Sequence, residues 1–201
     1  MSFIDRVMEQ PLVYRLWQAP FAARKLAPVL SRQDLAKAGR VLDVACGPGT
    51  NASQFAAADY VGIDVNDQYI TTARSRYHGR FITADAIKWS AETADEFDFI
   101  LVNSFLHHLD DDEVRVLLRS LRTRLAPQGK FHILELVLPD SLGVARTLAR
   151  LDRGHYARPL EDWRSLLSEV LHIEWFEPYK LTAFRIPCWH MVYAVGSARP
   201  E

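Results

Sequence analysis

The sequence lacks the features that mark disulfide-rich, metal-chelating and membrane-spanning proteins. Its 201 residues include only two cysteines, Cys46 and Cys188, which lie far apart and outside any Cys-x-x-Cys pair. This excludes a disulfide framework and a cysteine-based zinc site. No apolar run reaches the ~18–20 residues that a bilayer-spanning helix requires. The first residues include early acidic groups and no small-residue cleavage site, so we expect no signal peptide and a cytoplasmic location.

The chain also lacks an excess of charge of either sign. It has 24 Lys and Arg residues against 25 Asp and Glu residues, which gives a net charge of −1. A near-neutral chain with no basic run offers no support for a nucleic-acid partner. With 49% hydrophobic and 24% charged residues, the composition is that of a globular protein. We expect a single domain with a full core, and the pattern leaves monomer and homodimer open.

Short apolar runs alternate with helical stretches from residue 40 onward. The runs predict five strands, at 40–47, 60–65, 80–85, 97–103 and 129–138, and the stretches between them predict helices near 51–58, 67–77 and 111–125. This alternation is typical of a doubly wound parallel sheet. Two more helices, at 141–151 and 159–169, precede strands near 173–180 and 189–195, whose short link favours an antiparallel pair. The prediction is an α/β fold with a Rossmann-like, seven-stranded sheet in which strand seven is antiparallel.

A glycine-rich loop, DVACGPGTNA, follows the first predicted strand. Gly47 and Gly49 permit a tight turn and close approach of a ligand to the backbone, and the N–H groups of the next helix face that turn. Taken alone, this loop also fits the dinucleotide fingerprint. Asp43, which precedes the loop, favours a ligand ammonium and repels a pyrophosphate.

Two more carboxylates end the next two predicted strands. Asp64 is placed to accept both hydroxyls of a ribose, and Asp85 is placed to accept from an exocyclic amine. Together with Asp43, they would surround a ligand that has a cationic tail, a ribose and an adenine, and S-adenosylmethionine has these parts. The alternative is that all three cap loops in an unrelated α/β protein.

Four segments carry a resemblance to a known family. VLDVACGPGT, VGIDV, ITADA and FDFILVNSFLHHLDD resemble the successive motifs of class I S-adenosylmethionine-dependent methyltransferases, over roughly residues 38–138. The resemblance implies a core at 39–138, an N-terminal helical lid at 1–38, and a substrate-side segment with the C-terminal hairpin at 139–201. It also implies that the glycine loop wraps the methionine portion and that the acidic residues hold the ribose and the adenine. The cofactor residues implied are Asp43, Ala45, Cys46, Gly47, Pro48, Gly49, Asn51, Asp64, Val65, Asp85, Ala86, Asn103 and Ser104.

Two positions in these motifs have alternative interpretations. The family commonly has glycine where this chain has Ala45, and we expect a methyl group in an extended segment to be tolerated there. Cys46 is either a reactive thiol or a small hydrophobic residue beside the turn, and the second is favoured.

His107 and His108 follow the fourth predicted strand and are the candidate catalytic residues. An imidazole at that edge can accept a proton from the methyl acceptor, and His108 is favoured over His107. The alternative is structural, because LHHLDDDE also reads as a helix start, with Asp110 as N-cap and Glu113 completing a capping box.

The remaining candidates concern the methyl acceptor. Arg153, Arg158 and Arg185 are predicted to converge on a carboxylate or phosphate, since guanidinium binds such groups in bidentate fashion. The alternative is that they are solvated or paired with Asp152, Glu161 and Asp162. The N-terminal aromatic residues are expected to cover the site or simply to pack on the sheet. The predicted substrate-binding residues are Tyr14, Trp17, His155, Tyr156, Arg158, Arg185 and His190.

The resemblance implies methyl transfer from S-adenosylmethionine to an oxygen or nitrogen atom of a small molecule. An anionic molecule is among the expected acceptors. Asn103 is not followed by Pro-Pro, unlike the element of enzymes that methylate amino groups of nucleic-acid bases. No His, Asp or Glu cluster has ligand spacing, so no metal is expected. The alternatives are an S-adenosylmethionine-binding protein that catalyses cyclisation or elimination, a dinucleotide-binding protein, and a non-catalytic partner subunit.

Overall fold

The computed structural model describes residues 21, 24–32, 35, 38–152 and 154–199. They form one seven-stranded sheet with the order β3-β2-β1-β4-β5-β7-β6. Strands β1 to β5 are parallel to one another, and β7 runs antiparallel to both β5 and β6. This confirms the predicted fold. The strands are β1 Arg40–Val44, β2 Asp59–Asp64, β3 Arg80–Thr83, β4 Phe97–Asn103, β5 Leu125–Val137, β6 Leu171–Ala183 and β7 Ile186–Ala198.

Five bounded α-helices flank the sheet within the described residues. They are α1 Asp67–Arg76, α2 Ala86–Glu92, α3 Asp111–Arg122, α4 Val144–Leu151 and α5 Leu160–Val170. Residues 24–30 are also helical, and α3 begins with the capping box of Asp110 and Glu113 that the sequence predicts. None of the helices in the described part of the chain is long and apolar enough to cross a membrane.

The predicted helix at 51–58 is wrong. The structure has only a 3-10 turn there, Ala52–Phe55, and its N-cap residue Asn51 makes no capping hydrogen bond. The Asn51 amide instead donates to Asp43, 3.1 Å away. The Asn51 side chain is therefore directed towards Asp43 on β1 and does not cap this turn, although a side-chain cap is a common way to satisfy the first N–H groups of a helix.

The core covers both faces of the sheet. On one face, α3 and α5 pack against β4 and β5 through residues such as Leu117, Leu121 and Trp163, which are fully buried. On the other face, Leu26 and Val29 from the helical residues 24–30 are buried against Leu134, Tyr193 and their neighbours. Layers on both faces leave the carboxyl ends of the parallel strands as the open edge, which is where ligands bind in such sheets.

Candidate active site

The glycine loop after β1 contains three residues with left-handed backbone. The φ angles are 57° at Ala45, 55° at Gly47 and 77° at Gly49. A Cβ at Gly49 would lie 2.8 Å from Ala73 Cβ, so this glycine permits close packing on α1, whereas a Cβ at Gly47 would meet nothing within 4 Å. The expectation that Ala45 is extended is wrong, because its φ lies where L-residues are disfavoured. The loop thus turns sharply and leaves open space above Gly47.

Asp43 lies beneath this loop and is fully buried. Its Oδ2 accepts from the Tyr60 hydroxyl at 2.6 Å and from Asn51 Nδ2 at 3.1 Å. Its Oδ1 is buried without a hydrogen-bond partner among the described residues. Burial raises the pKa of Asp43 to about 6, although the bonds from Tyr60 and Asn51 lower it. A buried acceptor without a donor suits a cationic ligand group. Asn51, a predicted cofactor residue, donates to Asp43 in this structure.

Asp64 connects the glycine loop to the end of β2. Its Oδ2 accepts from the Gly47 N–H at 2.9 Å, and its Oδ1 accepts from the Asn66 N–H at 2.8 Å. Each carboxylate oxygen has a second lone pair, so both oxygens can still accept from ribose hydroxyls. The next residue, Val65, is 69% exposed. An exposed apolar side chain at this edge suits the face of an adenine, so the chemistry of the donor set fits S-adenosylmethionine.

Two other loop predictions have different outcomes. Asp85 is the N-cap of α2 and accepts from the Lys88 N–H at 2.9 Å. It therefore has the capping role that was the alternative, and its contact with adenine stays a prediction, as does that of the buried Ala86. Cys46 is buried in the core behind the loop, and burial raises the pKa of its thiol. The small-hydrophobe interpretation fits these surroundings, and Pro48 lies beside it in the half-buried turn.

His107 is held between two carboxylates at the edge beyond β4. Its Nδ1 lies 2.7 Å from Glu135 Oε2, and its Nε2 lies 3.1 Å from Asp152 Oδ1. Glu135 is fully buried on β5, and its Oε1 accepts from the N–H groups of Phe105 and Leu106 at 2.8 and 2.6 Å. Burial lowers the pKa of His107, but Glu135 and Asp152 outweigh it and raise the value to about 9.

Both ring nitrogens of His107 are engaged by carboxylates, so the geometry favours a structural role for His107 over the predicted role as a base. His108 is exposed, with its ring centroid 4.4 Å from that of His107, and its role as a base stays a prediction. Sequence reasoning missed Glu135. The available signal was a lone carboxylate inside the apolar run HILELVL, since a buried charge requires a partner.

The expectation that no metal-ligating cluster exists rested on sequence spacing and overlooked a grouping in space. Ligand atoms of His107, His108 and Asp152 all lie within 4.8 Å of one another. However, His107 Nε2 is already paired with Asp152, and a metal requires neutral imidazole. The raised pKa of His107 opposes that state, so we assign no metal role to this group.

Lys25 brings a positive charge to the same edge, which the sequence did not indicate. Its Nζ donates to Ser104 Oγ at 3.0 Å. Ser104 directly follows β4 and Asn103, has a φ of 55°, and donates its N–H to Leu134 O on β5. Burial lowers the pKa of Lys25, while Asp152 and Glu135 raise it.

The predicted convergence of three arginines is wrong for Arg158. Its Nε donates to Asp111 Oδ1 at 2.8 Å, and its Nη groups donate to the carbonyls of Leu106, Leu109 and Tyr156. The guanidinium also stacks over Trp163 at 4.7 Å. The actual carboxylate partner is thus Asp111, and Arg158 ties loops together beside the site, because these partners leave it little capacity for an acceptor.

The other predicted acceptor residues are scattered. Arg185 is exposed in the turn between β6 and β7. His155 and Tyr156 are exposed in the segment after α4, where the Tyr156 N–H donates to His107 O at 3.0 Å. His190 is half-buried on β7, and burial lowers its pKa. Tyr14, Trp17 and Arg153 lie outside the described residues.

Comparisons with known proteins agree with this geometry. A family model described as "Methyltransferase domain" matches residues 41–129. A trans-aconitate 2-methyltransferase of Delftia acidovorans is 29% identical over 189 residues, which is 85% of this chain and 68% of that protein. The O-methyltransferase rstn1 of Aspergillus nomiae is 30% identical over 156 residues, which is 73% of this chain and 68% of that protein.

A solved structure agrees on the fold. The N-methyltransferase NodS of Bradyrhizobium japonicum, in complex with S-adenosyl-L-homocysteine, superimposes with a TM-score of 0.74 at 20% identity, covering 98% of this chain and 97% of that one. The family-model match spans the glycine loop together with Asp43, Asp64 and Asp85, and the relative that is 30% identical is a methyltransferase of which this chain covers 68%. The chain therefore belongs to the class I S-adenosylmethionine-dependent methyltransferases, and S-adenosylmethionine is its cofactor.

Proposed function

We propose that this enzyme methylates a carboxylate oxygen of a small organic anion. The observation that carries the proposal is the His107 clamp, because it engages both ring nitrogens of one of the two candidate bases, His107 and His108. A carboxylate acceptor is already ionised at neutral pH, so it needs no base. The relatives named trans-aconitate 2-methyltransferase support an acceptor of this class.

The chain's own residues would hold the cofactor on the β1 and β2 side of the edge. We assign the methionine portion to the loop of Gly47 and Gly49, the ribose to Asp64 and the adenine face to Val65. Bound S-adenosylmethionine supplies a methyl group that its sulfonium already activates. The protein's contribution is therefore to align the acceptor oxygen with that methyl group and to exclude water.

The proposal also places the acceptor beside the cofactor cradle, where β4 and β5 end. Residues 1–38 as a lid and 139–201 as the acceptor side remain proposals. A cytoplasmic location is proposed as well, which the two free cysteines, Cys46 and Cys188, support. A nucleic-acid partner is not proposed, given the net charge of −1.

An acceptor screen tests the proposal. Purified protein is incubated with S-adenosylmethionine and with trans-aconitate, other di- and tricarboxylates, their neutral methyl esters, phenols and amines, and products are identified by mass spectrometry. We expect methylation of free acids and none of the fully esterified compounds. Asp64→Ala should lose activity through weaker cofactor binding, whereas Asp162→Ala, an exposed carboxylate on α5, should not. Turnover of neutral acceptors alone would contradict the proposal.

The screen also separates the runner-up functions. Cyclisation or elimination would consume S-adenosylmethionine without yielding a methylated acceptor. A non-catalytic partner subunit would bind S-adenosylhomocysteine and produce nothing.

A further inference from the structure

The loop after β4, residues 103–109, lies where the order of the strands reverses. In the sheet order β3-β2-β1-β4-β5, the strands that follow β1 lie on one side of it, and β5 lies on the other side of β4. Ligands of doubly wound sheets bind beyond the carboxyl ends of the strands at such a reversal. The post-β4 loop and the glycine loop after β1 therefore border this crevice from its two sides.

The backbone of the post-β4 loop has a conformation that depends on support from elsewhere in the fold. Ser104 has a φ of 55°, a left-handed value that is disfavoured for residues with a side chain. The 3-10 turn Leu106–His108 follows directly, and its N-cap residue, Phe105, has no polar side chain to cap it. Strained backbone persists only where the surrounding structure fixes it, so this loop requires partners from another segment.

Glu135 supplies these partners from β5. Its Oε1 accepts from the N–H groups of Phe105 and Leu106 at 2.8 and 2.6 Å, while its Oε2 lies 2.7 Å from His107 Nδ1. Burial raises the pKa of Glu135, but His107 and the two N–H groups outweigh it and lower the pKa below its ordinary value. A single, fully buried carboxylate on a central strand thus binds three consecutive residues of the loop.

The segment 154–158 holds the same loop through its carbonyl groups. The Tyr156 N–H donates to His107 O at 3.0 Å, and Arg158 Nη1 donates to Leu106 O at 3.3 Å. A Cβ at Gly154 would lie 2.6 Å from His107 O, so glycine permits this close approach. The loop is therefore fixed between this segment and β5, and the length of the Glu135 side chain sets its distance from the strand.

We propose that Glu135 is a positioning residue for methyl transfer, which acts by placing the post-β4 loop against the reacting groups. It acts through the N–H groups of Phe105 and Leu106. The sulfonium already activates the methyl group, so the rate depends on alignment, and a displacement of about 1 Å costs on the order of 100-fold in rate. The inference rests on the acceptor position proposed above, at the ends of β4 and β5, and is independent of the acceptor's charge.

Two substitutions separate the length of the Glu135 side chain from its charge. Glu135→Asp keeps the charge but is one methylene group shorter, so it cannot reach the loop N–H groups and His107 together. Glu135→Gln keeps the length. Its oxygen can accept from both N–H groups, and its amide can donate to Nδ1 of a neutral His107. The same two substitutions at Glu113 are the matched control, because this exposed glutamate also accepts from a backbone N–H, that of Asp110 at 3.0 Å.

Turnover is measured with the compound of the acceptor screen that reacts fastest, whatever its charge, and S-adenosylhomocysteine binding is measured by calorimetry. Glu135→Asp should lower kcat by about 10- to 100-fold. The acceptor KM and the Kd of S-adenosylhomocysteine should change by less than about threefold, because Asp64 and the glycine loop are intact. Glu135→Gln should keep kcat within about threefold of the wild type, and both Glu113 variants should match the wild type.

Hydrogen exchange of the Phe105 and Leu106 amides, followed by NMR, gives a readout that needs no acceptor. Both amides should exchange slowly in the wild type and in Glu135→Gln, and faster in Glu135→Asp, because a lost hydrogen bond opens the loop locally. Circular dichroism shows whether each variant is folded. The wild type and Glu135→Gln still test the inference if Glu135→Asp does not fold.

Three outcomes would overturn the inference. An unchanged kcat in folded Glu135→Asp would make Glu135 purely structural. A loss of kcat in Glu135→Gln as large as that in Glu135→Asp would assign its role to the charge, and fast exchange of both amides in the wild type would show that the loop is not held. All three results leave the proposed function standing. Methylation of neutral compounds alone would instead overturn the proposed function and leave the role of Glu135 unaffected.

Discussion

Replacing His107 by glutamine should destabilise the protein severely. The substitution leaves Glu135 fully buried without its cationic partner, with bonds from the N–H groups of Phe105, Leu106 and Leu136 remaining. Removing one member of a buried ion pair costs about 3–5 kcal/mol. We therefore expect Glu135 to take up a proton or the surrounding loops to rearrange.

The pH dependence gives an independent measure of the same quantity. The pKa of His107 is raised from 6.5 to about 9 in the folded protein, so the folded state holds this proton more tightly than the unfolded state. The stabilisation is roughly 3 kcal/mol. It is fully present below about pH 6.5 and is lost as the pH rises through about 9. The free-energy difference between wild type and His107→Gln should therefore shrink over that window.

Urea unfolding followed by circular dichroism, at intervals from pH 6 to pH 10, measures this difference. His78→Gln, an exposed histidine between α1 and β3, serves as control and should change stability by less than about 0.5 kcal/mol. The double variant with Glu135→Gln should lose less than the sum of the single losses. A loss below about 1 kcal/mol at pH 7, or a difference that does not vary with pH, would refute the charged clamp.

Three further predictions concern the loops around the site. Ala45→Gly should raise the unfolding free energy by up to about 1 kcal/mol, since relief of the left-handed backbone outweighs the added chain entropy, and a lower urea midpoint would contradict it. The affinity for S-adenosylhomocysteine should fall as the pH drops below about 6, where Asp43 takes up a proton. Methylthioadenosine lacks the amino-acid portion, so its affinity, measured by calorimetry, should not fall with pH. An equal fall in affinity for both ligands would exclude a contact between Asp43 and the ammonium of the cofactor. Arg158→Met should lower the free energy of unfolding in urea by about 2–4 kcal/mol, because three backbone carbonyls and Asp111 lose their hydrogen-bond donor. An increase in the acceptor KM without a loss of stability would instead support the anion-binding role.

The sheet could be predicted from sequence because the parallel strands contain apolar runs, and β2, β3 and β4 end in polar residues. The β4 prediction at 97–103 matches the observed strand. The helix α2 was missed because seven residues are too few to show a helical period. Its start is nevertheless marked by Asp85, whose side chain accepts from the Lys88 N–H, and a capping role was only the alternative.

The cofactor side was more predictable than the acceptor side. Asp43 precedes the glycine loop at the end of β1, and Asp64 ends β2. Parallel neighbouring strands bring their carboxyl ends to one edge of the sheet. Contacts that depend on tertiary packing carry no local signal. Arg158 pairs with Asp111, 47 residues earlier, whereas nearby acidic residues were the obvious candidates. The positive φ of Ala45 was missed because backbone conformation at a turn depends on both flanking segments.

Methyl transfer to a free carboxylate is tested most directly by product stoichiometry. The enzyme is given S-adenosylmethionine labelled with ¹³C in its methyl group and an acid identified in the acceptor screen. We predict one labelled methyl ester for each S-adenosylhomocysteine formed, with both products lost together in Asp64→Ala. S-adenosylhomocysteine formed without a labelled ester, or label found only on nitrogen or on a neutral acceptor, would contradict the account.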